Sequence, residues 1–439
     1  MTNASPARTL ASFLIGRRDA IERIAVSRSA TVASFVFVLT AGIAREYDGE
    51  YLLAEPWHAL RPLGASAVTG TVLFLLVRLA TFRRGATDGP GLAESYRRFM
   101  TCFWMTAPLA WLYAIPYERF LSPGDAVMAN LWTLALVAAW RVLLITKVAA
   151  VLTGSRTIPM FFIVMLFSDA VAFAVFAFIP VPVMDFMGGM QHTERDALLA
   201  STAFLMQFLT VLSAPVWILG AIAAVSSLTP APPRFDAAPI PARDWNPLLA
   251  ASVLIWIAPL IIAQPEQARR HRVDQLFASG DTPAALAELS KHPESFYPRR
   301  WELPPRLGYR EETPDLDAVR EVIDTQPTAE WVAAAYADKI DRQLMRRFMP
   351  FSSSWADALD AINRAYPPEF ERRAGFSDLT EHDLDQLRFV ANHLARLTPE
   401  DRAAMEILAA RLRDHLDIPP DADAPLPPPA PNDASEEIP

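Results

Sequence analysis

The chain has 439 residues, enough for two domains, and 52% of them are hydrophobic. A formal net charge of −9 with no concentrated basic stripe argues against a phosphate-neutralising nucleic-acid surface. The single cysteine, Cys102, excludes an internal disulfide and a thiolate zinc cluster.

Apolar runs dominate up to residue 263, and from 264 onward the chain is charged and mixed. Residues 1–28 form an arm in which Leu10, Phe13, Leu14, Ile21 and Ile24 recur at three- and four-residue steps among Arg8, Arg17, Arg18, Arg23 and Arg28. That period predicts an amphipathic helix, weakened at Gly16, which either lies in the bilayer interface or packs on the protein. The apolar run 11–16 is too short for a signal-peptide core, so the first long apolar segment is expected to be an uncleaved membrane helix.

A bilayer core of roughly 30 Å takes about 20 apolar residues of helix. Seven segments within 29–263 meet or approach that length: 30–44, 65–82, 99–115, 126–147, 158–181, 198–228 and 247–263. Backbone polar groups in lipid must pair within their own segment, so each is expected to be helical. The sixth contains Pro215 and reads as one kinked or tilted helix. The seventh contains Pro259 and sits at the lower length limit, so a re-entrant segment is its alternative.

Cations fix the expected orientation. The arm has five arginines, and Arg83, Arg84, Arg97, Arg98, Lys147, Arg156, Arg234 and Arg243 fall at the same end of the spans. The opposite loops hold only Arg45 and Arg61, then Arg119, then Arg195. This bias puts the N-terminus in the cytoplasm, and seven crossings put the C-terminal domain outside. Arg269, Arg270 and Arg272 pull the other way, but long domains cross largely regardless of charge. Tyr47, Tyr51, Trp57, Tyr113 and Tyr117 flank the spans, where amphipathic rings suit the headgroup layer. The Ala-, Arg- and Pro-rich composition suits a bacterial inner membrane.

Residues 229–246 are proline-rich and read as an extended loop. Residues 264–417 read as a helical soluble domain, with helices expected at 267–279, from Thr282-Pro283, and at 314–325, 329–349, 354–365, 381–397 and 399–416. The first two form a hairpin that is similar to a tetratricopeptide unit over about 25 residues, without a repeat. Residues 418–439 form a proline-rich acidic tail expected to be disordered. The fold class is therefore all-α: a transmembrane bundle of about seven helices followed by an α-helical soluble domain.

No P-loop, H-E-x-x-H, G-x-S-x-G or G-x-G-x-x-G pattern occurs, so the sequence leans away from an enzyme and implies no cofactor. Three places could carry chemistry. Asp169 lies mid-span, where a charge costs about 2.5–3.5 kcal/mol on insertion scales, so a partner is expected. Arg141 in the neighbouring span is that expected partner, at similar depth if the fourth helix runs on to Leu152 and shallower, reaching inward, if it stops at Lys147; Gln207 is the candidate third polar member. A neutral pair fixing helix register is the plainer reading, and a proton or ion relay the sharper one.

Met184, Met187 and Met190 at three-residue steps, followed by His192, resemble methionine motifs of copper-handling proteins in spacing only. A lipid-touching turn explains the same residues. Finally, Glu46, Asp48, Glu50, Glu55 and His58 crowd the loop 45–62, where they could ligate a hard cation or form a solvated acidic loop. His382, His393 and His415 match no common ligand spacing. The leading expectation is a non-enzymatic scaffold or interaction protein, with the lipid bilayer and a protein as partners. A small-solute transporter and a copper-handling protein are the alternatives.

Overall fold

The computed structural model describes residues 5–81, 90–177, 194–228, 235, 237–298, 301–305, 316–348, 354–365, 380–394, 397–416 and 418. Among them there are 15 α-helices and no strand. The described residues divide into two compact units, one reaching Arg269 and also taking Pro298, the other beginning at Arg270.

The arm is two helices, α1 (Pro6–Leu14) and α2 (Arg18–Val26), parted at Gly16, whose φ of 76° lies in the left-handed region that glycine tolerates. Their apolar faces are consumed by the protein: Phe13, Ile21 and Ile24 are fully buried in one cluster with Leu144, Val148 and Val151.

The spans follow as α3 (Arg28–Glu46), α4 (Trp57–Ala80), α5 (Leu92–Trp104), α6 (Pro123–Thr153), α7 (Thr157–Ala177), α8 (Glu194–Ser227) and α9 (Ala242–Ala278). Seven helical segments are long and apolar enough to cross a membrane, which is compatible with a multi-pass membrane protein. Large apolar side chains stand exposed along them, among them Leu79, Trp132, Leu219, Leu254 and Ile261. A surface of that kind suits lipid rather than water.

Several helices outrun their apolar windows because their ends are set by polar caps. Ser122 accepts from the Asp125 N–H at 3.3 Å to start α6, and Gly154, at φ 66°, ends it. The third span is the exception. Instead of one helix over 99–115, α5 stops at Trp104 and a 3-10 helix continues over Ala107–Ala114. Pro108 removes a backbone donor there, and the Thr106 hydroxyl donates to the Phe103 carbonyl at 2.7 Å.

The seventh span traverses the bundle from end to end. Just before α9, the Ile240 N–H donates to the Ser27 hydroxyl at 2.7 Å, at the start of α3. Trp245 then packs its ring on Phe37, and Trp256 packs on Tyr47 and Trp111. Gln264 reaches the carbonyls of Tyr47 and Glu50, both at 3.0 Å, beyond the far end of α3. The separate helix expected at 267–279 does not occur, because α9 continues unbroken to Ala278.

The second unit holds α10 (Thr282–Ser290), α11 (Leu316–Thr325), α12 (Glu330–Phe348), α13 (Trp355–Ala365), α14 (Glu381–His393) and α15 (Pro399–His415) around one apolar core. Asp281 caps α10 through the Ala284 N–H at 3.1 Å, and Thr398 caps α15 through the Asp401 N–H at 3.0 Å. The helix expected over 381–397 ends at His393. Arg402 closes that end by donating to the carbonyls of Ala391 and Leu394 at 2.7 and 3.2 Å.

Buried polar groups of this unit are spent on structure. The Trp355 indole donates to Asp341 at 2.6 Å, and Lys339 donates to Glu302 at 2.9 Å and to the Pro305 carbonyl at 2.7 Å. Glu288 is bonded by Lys291 at 2.6 Å and faces Arg272 at 3.5 Å. Lys291, more than Arg272, holds the Glu288 carboxyl below its ordinary value against the opposing effect of burial. A depressed carboxyl contributes stability that is present above its unfolded value of about 4.3 and is lost as pH falls through the lower folded value. Glu288→Gln is therefore expected to lower the melting temperature of the full chain in detergent at pH 7. The difference from wild type should begin to shrink below about pH 4.3 and close as pH falls through the lower folded value, and a pH-independent difference would refute the electrostatic origin.

Candidate functional site

The expected Arg141–Asp169 pair does not form. Each residue lies 12 positions from the α6–α7 turn, about 18 Å along its helix, so their depths match. Their helical phases do not. Arg141 points at the third span, with its guanidinium carbon 4.9 Å from the centre of the Phe103 ring. This is a cation–π contact, and the Arg141 Nε is buried with no hydrogen-bond partner. Asp169 faces α8 instead and accepts a hydrogen bond from Ser213 at 2.9 Å. Gln207 is also on α8, where its carbonyl accepts from Thr210 at 2.8 Å. Met184, Met187, Met190 and His192 lie outside the described residues.

The acidic loop between α3 and α4 is built into an ordered cluster. The Glu50 N–H donates to the Glu46 carbonyl at 2.9 Å, which adds a helical turn beyond α3 and puts both side chains on one face. His58 lies in the first turn of α4. The two helices meet there closely: a Cβ at Gly42 would collide with the Ala59 carbonyl oxygen. Glycine at 42 thereby lets α4 start against the end of α3, which carries His58 to Glu46 and Glu50.

One ligand atom each from Glu46, Glu50 and His58 lie within 4.8 Å of one another. The His58 Nδ1 is 3.7 Å from Glu50 and its Nε2 is 3.3 Å from Glu55. Asp48 is directed elsewhere. Arg119 donates to it at 2.7 Å and to Glu266 of α9 at 2.8 Å, so one guanidinium ties the loop, the end of the third span and the end of the seventh. Gln267 adds a bond to the Asp48 carbonyl at 2.9 Å. Tyr47, expected in the headgroup layer, is buried and donates to the Ala114 carbonyl at 2.8 Å.

Arg119, Glu266, Gln264, Gln267 and Gly42 were not singled out by sequence as site residues. A run of polar residues just past an apolar span was visible, but nothing local names the loop carbonyls they serve. Neither a family model nor a curated protein nor a solved structure matches this chain.

Arg119→Ala leaves two largely buried carboxylates without this cation. A loss of roughly 1–3 kcal/mol is expected, below the range for deeply buried pairs because all three groups retain some solvent. It should be read from detergent melting curves, where an unchanged melting temperature would show that Arg119 does not hold the loop.

Proposed function

We propose that this chain is a non-enzymatic multi-pass membrane protein that carries a helical protein-binding domain on the extracytoplasmic side, with its N-terminal arm in the cytoplasm. The observation that carries the reading is the course of α9, which follows directly on the Ile240 bond to Ser27 and passes the 47–50 loop at Gln264 before running on to Ala278. A full seventh crossing combined with the arginine bias gives opposite sides for the two ends of the chain. The domain's buried Lys339, Asp341 and Glu288 are each engaged in structural bonds, which suits a module that works through its surface. Paired reporters, one active only in the cytoplasm and one only outside, are expected to report Ala263 and Leu416 as external. A cytoplasmic Leu416 fusion would overturn the topology.

A second reading, an ion or proton transporter, draws on Asp169, held by Ser213 across the α7–α8 contact. On that reading Asp169→Asn abolishes proton flux in reconstituted vesicles while expression is kept. Unchanged flux, or none in the wild type, removes it.

A further inference from the structure

We propose that Glu46, Glu50 and His58 form a binding site for a divalent transition-metal ion of the zinc or manganese type. The first ground is their convergence, with ligand atoms within 4.8 Å of one another. The second is independent of the acidic character of the loop. His58 is only 7% exposed, and its Nδ1 is buried with no hydrogen-bond partner while facing Glu50 at 3.7 Å. That distance is too long for a hydrogen bond, and a buried ring nitrogen left unpaired is costly.

The other ring nitrogen explains the arrangement. His58 Nε2 lies 3.3 Å from Glu55. Metal-bound histidines almost always give their second N–H to a carboxylate or carbonyl, which fixes the tautomer. With the proton on Nε2, beside Glu55, Nδ1 presents a lone pair toward the Glu50 carboxylate. An imidazole lone pair and two carboxylates converging within 4.8 Å are a donor set that a cation can join.

Three carboxylates, Glu46, Glu50 and Glu55, surround His58, and Arg45, 3.5 Å from Glu46, has a side chain 62% exposed. The Glu46 and Glu50 side chains are partly exposed, 23% and 28%, and so are not locked by packing away from an ion. The donor set selects the ion class. Imidazole with carboxylates suits zinc and manganese, whereas calcium takes six to eight oxygens.

The site is independent of membrane orientation and of the Proposed function. The test is isothermal titration of full-length, chelator-stripped protein in detergent with ZnCl2, MnCl2 and CaCl2. One zinc or manganese ion per chain is expected, bound more tightly than calcium. Glu50→Gln and His58→Gln should each weaken binding by at least ~10-fold, and Glu55→Gln by ~10–100-fold through the orientation of His58. Glu50 is partly exposed, so a Glu50→Gln protein with the metal-free melting temperature of wild type separates lost binding from lost folding. No uptake of either transition ion, equal binding by Glu50→Gln and His58→Gln, or a preference for calcium would each overturn the proposal.

Discussion

Arg119 holds the cluster end of the bundle together. Its carboxylate partners Asp48 and Glu266 lie 71 and 147 residues away in sequence. A guanidinium offers several N–H groups in a rigid fork and stays charged across any ordinary pH, so one side chain can serve two carboxylates at once. A lysine would present a point charge on a flexible stem. Because Arg119 fixes Asp48, the turn after α3 has a defined course, and the neighbouring Glu46 and Glu50 can face His58.

The spans obey a different constraint. Facing lipid, a helix has no water to satisfy stray polar groups, so many of its hydroxyls turn back on their own backbone. Thr69, Thr71, Thr133, Ser168 and Ser252 each donate to a carbonyl three or four residues earlier, at 2.7 to 2.9 Å. Contacts between helices therefore rest largely on shape. Gly42 under Ala59 and Gly70 against the Met100 side chain show how small residues allow it.

This division explains what the sequence could disclose. Hydropathy marks the spans because lipid leaves apolar residues exposed as well as buried, so the signal does not depend on knowing the core. The break after Trp104 was less legible, since Pro108 sits in a run that is apolar throughout. Depth could be counted for Arg141 and Asp169, but whether they meet depends on rotation about two helix axes, which Phe103 and Ser213 decide. In the acidic loop the candidate residues were visible as a group. Their sorting was not, because Asp48 is claimed by Arg119 and Gln267 from distant stretches of chain.

The bonds made by Gln264 and Gln267 give that loop an unusual mechanical independence. Both side chains hold main-chain oxygens of residues 47, 48 and 50 through amide groups, which carry no charge to gain or lose. These uncharged bonds hold the main chain of the loop alongside the charged Arg119 contacts that fix Asp48.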